Sequence, residues 1–390
     1  MKARIVHAVL LPLLLPCMYG CGNGNDDRFS EPAPVLLDLN IALVTRTDAD
    51  GQEIPDWEKV KDLRIVLIDN TPNSGTKGQV ECNNMFDVSQ VTEGDGQYRY
   101  RFNTQIQSTK GNKILYALAN TADWIGNDVT DGLYDCILKE AIGVVNADSR
   151  KNAQRPIPIT SRKYEINLNT TKSTVTQDIV MVYAATKFEF TFINNITTET
   201  ESQSDNTLEV VKWGISDVAS ESYLIPHIGT TAWQQLISLG EQSTCDAASA
   251  TWVKDYAVPE SVYSTYEYSY TPALQLPLGE RVVDSNIYYL HESRYLPNAS
   301  GEPGGDEQHY LLKLWVKHSK QTTTEPVLLA AEFPHLESLV RGTHVKVEAE
   351  IKGLPKEGKT DLEVRVKTWE EKDPVDGTWE EVDTPQDDDK

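Results

Sequence analysis

Three observations in the sequence predict a mostly β protein, built as two β-sandwich domains with short helices. Apolar residues recur at every second position through much of the chain, the period of a strand with one buried face. Clusters of Gly, Pro, Asn and Asp, such as 70–75 and 93–96, separate these runs as turns do. A length of 390 residues with 39% hydrophobic content supplies cores for about two domains. Many short strands joined by turns favour packed sheets over helical layers.

The first element is an export signal over 1–20. Lys2 and Arg4 provide its positive charge and 5–15 its apolar run, which is too short and too broken by Pro12 and Pro16 for a membrane span. Gly20 before Cys21 suits a lipoprotein signal peptidase, so Cys21 is the predicted lipidation site and the anchor to the outer membrane. The alternative is an ordinary secretory signal with incidental cysteines. Residues 21–34 form a polar tether, and its acidic pair Asp26-Asp27 is similar to the sorting signals of surface-displayed lipoproteins.

A strand over 35–44 follows. Leu37, Leu39, Ile41 and Leu43 alternate with Asp38, Asn40 and Ala42, and the run stops short of Arg46 and the turn 48–51. At about 1.5–3 kcal/mol for each buried side chain, those four residues bring on the order of 6 to 12 kcal/mol as an upper estimate. The first domain, 35–185, continues with strands over 64–68, 98–102, 114–119, 164–168 and 179–183. Within it, Tyr134, Ile137, Leu138, Ala141 and Ile142 fall at helical spacing and predict a helix over 133–143.

The boundary is set at 184–186, where one strand-rich block ends and a fresh strand begins. The second domain, 186–390, has predicted strands over 187–193, 208–213, 262–270, 287–290, 310–316, 327–332, 344–351 and 362–369, and a short helix over 231–239. It closes in an acidic tail, a pattern typical of solvated chain.

A net charge of −23 excludes nucleic acid as a partner, because a phosphate-binding surface needs clustered Lys and Arg to displace counterions. With the signal removed and Cys21 lipidated, the thiols left are those of Cys82, Cys136 and Cys245. An oxidising compartment permits one bridge, with Cys82 and Cys136 the pair that share a domain. No catalytic residue, metal site or cofactor is predicted: the chain has no H-E-x-x-H, G-x-S-x-G or Walker-type loop, and its histidines lack metal-ligand spacing. Asp48-Ala49-Asp50-Gly51 with Glu53 and Asp56 lacks the third early oxygen ligand and the bidentate Glu of a calcium loop. Carboxylates are abundant, so a glycosidase pair that meets only in the fold is left open.

Several segments together resemble the fimbrillins, the subunits of type V pili. Asp62-Leu63-Arg64-Ile65-Val66-Leu67-Ile68-Asp69 and Ile114-Leu115-Tyr116-Ala117-Leu118-Ala119-Asn120 are similar to strands of that family's N-terminal domain. Ile157-Pro158-Ile159-Thr160 is similar to the segment before its closing strands, and Tyr288-Tyr289-Leu290-His291-Glu292 to its aromatic-rich run ending in Glu. Arg341-Gly342-Thr343-His344-Val345-Lys346-Val347, Ile351-Lys352-Gly353 and 364–369 resemble its C-terminal strands, with His291 and Gly342 as departures.

The resemblance implies two fimbrillin-like, transthyretin-like sandwiches and export as a lipoprotein. It also implies loss of the first strand to an arginine-specific protease outside the cell, and refilling of the opened groove by a strand of a neighbouring subunit. On this chain the implied cut follows Arg46, since Arg64 lies inside a predicted core strand. The removable strand carries Leu37, Leu39, Ile41 and Leu43. The possible donor carries Leu362, Val364 and Val366, with 379–382 as a second candidate; the first reads equally as an ordinary core strand of the second domain.

The expected partners are then other pilin subunits, the protease, the membrane lipid before maturation, and surface receptors on host or bacterial cells. The expected location is the cell surface and then an extracellular pilus, with stalk, tip and anchor roles all open. A second expectation from another class is a surface lipoprotein that never polymerises and binds glycan or a host ligand through Tyr263, Tyr266, Tyr268 and Tyr270, whose alternation also fits one core-facing strand face.

Overall fold

Alternation becomes strand almost wherever one face can be covered. A computed structural model describes residues 34–44, 56–93, 98–126, 129–138, 144–146, 156–196, 206–238, 263–292, 310–318, 325–333, 336, 339–353 and 362–367. The first part of the chain forms β1 (Pro34–Val44), β2 (Leu63–Asp69), β3 (Val80–Phe86), β4 (Thr92–Glu93), β5 (Tyr98–Thr109), β6 (Asn112–Ala119), β7 (Ile137–Leu138), β8 (Val144–Asn146), β9 (Ile159–Ser161), β10 (Tyr164–Asn167) and β11 (Thr174–Tyr183). Nine of these make one sheet in the order β3-β2-β6-β9-β11-β1-β5-β4, with β10 also on β6. Residues from β1, β2, β5, β6 and β11 meet in a single apolar cluster, so the sheet curls round its own core.

The opposite faces of β2 and β6 are covered as well. Val66, Ile68, Tyr116 and Leu118 pack with Leu133, Leu138, Leu224 and Ile225 in a second cluster. A strand buried on both faces reads as an unbroken apolar run, which is what Ile65 to Ile68 and Ile114 to Ala119 are.

The helix expected over 133–143 is not found in its described part. Asp131–Asp135 is a single 3₁₀ turn capped by Thr130, and Ile137–Leu138 is strand; 139–143 lie outside the described residues. Helical spacing there arises because Leu133 and Leu138 are both drawn down onto the outer face of the sheet.

The second part forms β12 (Thr186–Asn194), β13 (Leu208–Ala219), β14 (Ser222–Tyr223), the helix α1 (Thr230–Ser238), β15 (Tyr263–Leu276), β16 (Arg281–Val283), β17 (Asn286–Leu290), β18 (Leu311–His318), β19 (Val327–Glu332), β20 (His344–Ile351) and β21 (Leu362–Lys367). One sheet runs β21-β20-β12-β17-β8 with β16 on β12, and the other runs β15-β13-β18-β19. Phe188, Phe190 and Phe192 alternate inward from β12 and meet Trp213, Leu312, Leu314 and Val316 of the facing sheet, a sandwich core. Residues 144–146, which precede 186 in sequence, complete the edge of this second fold through β17.

The two parts are joined by polar contacts as well as apolar ones. Arg341, fully buried, pairs with Glu292 and donates to the carbonyls of Tyr223 and Leu224 and to Thr160 Oγ1 on β9. Burial raises the Glu292 carboxyl, and the adjoining guanidinium opposes that shift. Four acceptors for one guanidinium fix the angle at which β9 meets the β20 end of the second fold.

Candidate functional site

The strand before Arg46 lies at the centre of the first sheet. β1 runs parallel to β11 over Leu36 to Leu43 and antiparallel to β5 over Pro34 to Val44, so it is hydrogen-bonded along both edges. Val35, Leu37 and Leu39 are 0% exposed and Ile41 and Leu43 are 4% exposed. Five such side chains amount to on the order of 8 to 15 kcal/mol of apolar burial, again an upper bound. On the outer face Asn40 Nδ2 donates to Asp178 Oδ1 at 2.8 Å, between residues that are direct cross-strand partners.

The far end of β1 is less regular. Its register to β5 slips between Leu43 and Val44, and beneath it lies an apolar cavity of about 20 Å³ lined by Ile41, Leu43, Val60, Leu63, Phe102 and Met181. A void removes dispersion partners from its walls, so this end is packed more loosely than the Val35 end.

The described chain leaves at Val44 and resumes at Asp56 in an anchored turn, Asp56–Glu58. Trp57 donates through Nε1 to Tyr289 Oη at 2.8 Å, and its carbonyl accepts from Ile157 N at 2.9 Å. Glu58 accepts from Tyr289 Oη at 2.5 Å, its backbone carbonyl accepts from Tyr183 Oη at 2.5 Å, and its carboxylate lies 3.1 Å from Lys187 Nζ. Burial, then the neighbouring Glu58 charge, pushes the Tyr289 hydroxyl well above its ordinary range, so it stays a donor. Residues 56–58 therefore stay pinned where the two folds meet, whatever holds β1.

Arg46 and Cys21, the predicted processing and lipidation residues, lie outside the described residues, as do the calcium-like segment 48–53 and the second donor candidate 379–382. Arg64, the competing cut, is 3% exposed inside β2, which is bonded to β3 and β6. Its guanidinium donates to the Gly126 carbonyl at 2.9 Å. No protease reaches that peptide bond without unfolding the sheet.

The donor candidate is an edge strand. β21 pairs antiparallel with β20 from Leu362 to Lys367, and among the described residues its other edge has no strand partner. Leu362 and Val364 are buried in the second core and Val366 is half-buried against it. Outward, Glu363 pairs with Lys352 and Arg365, and Arg365 also approaches Glu350 at 3.4 Å.

Two expectations are corrected. Cys82 and Cys136 are both free. Cys82 points into the core with Leu67, its cross-strand partner, whereas Cys136 packs on the cluster covering the opposite face, so the sheet stands between them. The tyrosine run offers no open platform for a sugar ring: Tyr266, Tyr268 and Tyr270 pack against the second core, and Tyr270 Oη donates to Asp284 Oδ2 at 2.5 Å. The side chain of Tyr263 is outside the described set. Among the described residues no group of His, Cys, Asp or Glu is placed to hold a metal ion, and no helix is long and apolar enough to cross a membrane.

Sequence reasoning missed the parallel β1–β11 pairing and the anchored turn at Trp57 and Glu58. Alternation reveals a strand but not its neighbour. The turn has no periodicity to find, though a Trp-Glu pair straight after a loop was its one visible mark.

No protein-family model matches the chain, and no curated protein matches it. Solved structures do. One, from Parabacteroides distasonis ATCC 8503 and provisionally described as a cell adhesion protein, aligns with a TM-score of 0.50 at 12% identity, over 85% of this chain and 96% of its own. The chain has the fold of that cell adhesion protein. A fimbrilin from Porphyromonas gingivalis W83 aligns at 0.44 and 11% identity, over 85% and 96% of the two chains. The tip fimbrial protein Mfa3 of Porphyromonas gingivalis aligns at 0.42 and 12%, over 86% and 100%. At 85% coverage the alignment with the Parabacteroides protein is long enough to reach both parts of the chain.

Proposed function

We propose that this chain is a structural pilin of the fimbrillin type, exported as a lipoprotein through Cys21, cut after Arg46, and polymerised by strand exchange into adhesive surface pili. The observation that carries the reading is β1: one continuous strand, bonded on both edges and buried along one face, that leads directly into the segment holding Arg46. Removal of a strand with that placement opens a long apolar groove flanked by two rows of free backbone groups. The anchored turn after the cut keeps the remaining chain in place. The fold shared with a protein described as acting in cell adhesion supports the same reading. Its partners are other pilin subunits, an arginine-specific protease, the outer-membrane lipid before maturation, and receptors on other cells. The role requires no catalysis. The 35–185 and 186–390 division is part of this proposal, with β8 as a strand lent by the first domain to the second.

The test is digestion of the full chain with an arginine-specific protease. The reading expects one early cut after Arg46, retention of the β signal, and a ladder of oligomers on non-denaturing gels as β1 is lost. A chain that resists the enzyme, or that collapses once cut, would refute it.

A further inference from the structure

Where β2 ends against β6, a lysine amine is buried between two carboxylates. Asp69 of β2 and Lys113 of β6 are direct cross-strand partners, 2% and 1% exposed. Lys113 Nζ lies 3.0 Å from Asp69 Oδ1 and 2.5 Å from Glu81 Oε1 of β3, and it also donates to Thr109 Oγ1 at 2.9 Å. Asp69 Oδ1 accepts from Thr71 N at 3.2 Å and from Thr71 Oγ1 at 2.6 Å, while Asp69 Oδ2 accepts from Thr76 Oγ1 at 2.6 Å. A Cβ on Gly111, at φ +134°, would fall 2.1 Å from Thr71 Oγ1, so a glycine there lets the turn before β6 close over that hydroxyl. Ser108 and Thr109 donate to the Glu81 carboxylate at 2.8 and 2.7 Å, which holds it against the amine.

An amine held against a carboxyl group, with a base on the nitrogen and fixed donors on the carboxyl oxygens, is the arrangement that acyl transfer needs. We propose that Lys113 and Asp69 condense into an isopeptide bond inside the folded chain, with Glu81 carrying the protons. Lys113 Nζ gives a proton to Glu81 and attacks Asp69 Cγ. The charge that gathers on Oδ1 is held by the amide and hydroxyl of Thr71, an oxyanion hole already in place. Glu81 passes its proton to Oδ2 and takes a second from the nitrogen, which follows the first. The Cγ–Oδ2 bond breaks, and that oxygen leaves as water by way of the Glu81 side chain, the partly exposed member of the set. Ammonium and carboxylate become amide and water, so no co-reactant is consumed.

Burial opposes the Asp69 charge, but hydrogen bonds from Thr71, Thr76 and Lys113 hold its carboxyl well below the ordinary value, so the pair starts as ions. Two ions in a dry site carry a desolvation cost that a neutral amide does not, and that difference favours condensation. The bond joins residues 44 positions apart and ties β2 to β6 in the sheet that also contains β1. It forms whether or not β1 is ever cut, and it limits how far the remaining strands can separate once β1 is gone.

The test is tryptic peptide mapping of the purified full chain by mass spectrometry. The peptides carrying Asp69 and Lys113 are expected as one branched species, lighter by one water than their sum, with no cut after Lys113. Lys113→Arg keeps the cation but not the condensing amine, and its two peptides are expected apart. Glu81→Gln keeps a hydrogen-bonding side chain but not the base, and should link on the order of 100-fold more slowly during refolding from denaturant. Linking at the parent rate in Glu81→Gln overturns the role given to Glu81. Separate peptides and an ordinary cut after Lys113 in the parent chain overturn the bond itself and leave Lys113 an ion-paired core residue only, a result that requires no variant to fold.

Discussion

β1 and β21 are strands of similar pattern held in opposite ways. β1 is central: two bonded neighbours, five inward side chains at 4% exposure or less, and an outer face on which Asn40 bonds Asp178. β21 is peripheral: among the described residues it has one bonded neighbour, two buried side chains, and an outer face laced with Glu363, Arg365 and Lys352. Apolar burial in the middle of a sheet gives strong, salt-insensitive retention. Edge pairing with exposed ions gives weak retention that solution conditions can adjust. Those two kinds of hold suit the proposed roles, in which β1 leaves only after a cut and β21 leaves without one.

The largest effect separating them is expected at the centre of β1. Leu39→Ala in the uncut chain removes a fully buried side chain from a site closed on both sides, and should lower stability by about 2–5 kcal/mol, read as a shift in urea midpoint. After cleavage and removal of β1, variant and parent should unfold identically, because the altered residue is gone. A difference that persists would mean β1 remains docked. Next in size, Val364→Ala should cost about 1–2 kcal/mol, since two methyl groups are lost at an edge where neighbours can close in. If Val364→Ala proved as damaging as Leu39→Ala, β21 would be as firmly built in as β1, and its proposed role as a donor would lose its physical basis.

How much of this was readable beforehand depended on which faces are covered. β1 was legible because its burial is one-sided and unbroken from Val35 to Leu43. β2 and β6 announced themselves by unbroken apolar runs, and α1 by the spacing of Ala232, Trp233, Leu236 and Ile237, which pack on Val180 and Val182 of β11. β3 was invisible: Val80-Glu81-Cys82-Asn83-Asn84-Met85-Phe86 is an edge strand whose polar residues face solvent, so its pattern never alternates cleanly. The polar second half of β5, Asn103 to Thr109, was lost for the same reason, although it is the half that pairs with the start of β1. The groove was therefore readable from its plug and not from its walls, and the Asn40–Asp178 contact needed the parallel neighbour that no local pattern specifies.

The smallest expected effect is the one that best isolates the outer faces. The Glu363 carboxyl is held below its ordinary value by the hydrogen bond from Lys352, then by that from Arg365. A depressed carboxyl contributes stability that is complete above its unfolded value near 4.5 and fades as the pH falls below it. Glu363 is well exposed, so screening confines the contribution to a few tenths of a kcal/mol. Hydrogen exchange at the β21 amides should accordingly quicken slightly between about pH 5 and pH 3, after correction for the intrinsic pH dependence of exchange, and Glu363→Gln should abolish that change. Salt at 1 M should mimic it, since the Debye length then shrinks to about 3 Å. The β1 amides, held by apolar burial along the inner face and by bonded strands on both edges, should show neither response. If acid or salt loosened β1 as much as β21, ionic contacts would be contributing to the plug, and the division between an apolar lock and an ionic latch would have to be redrawn.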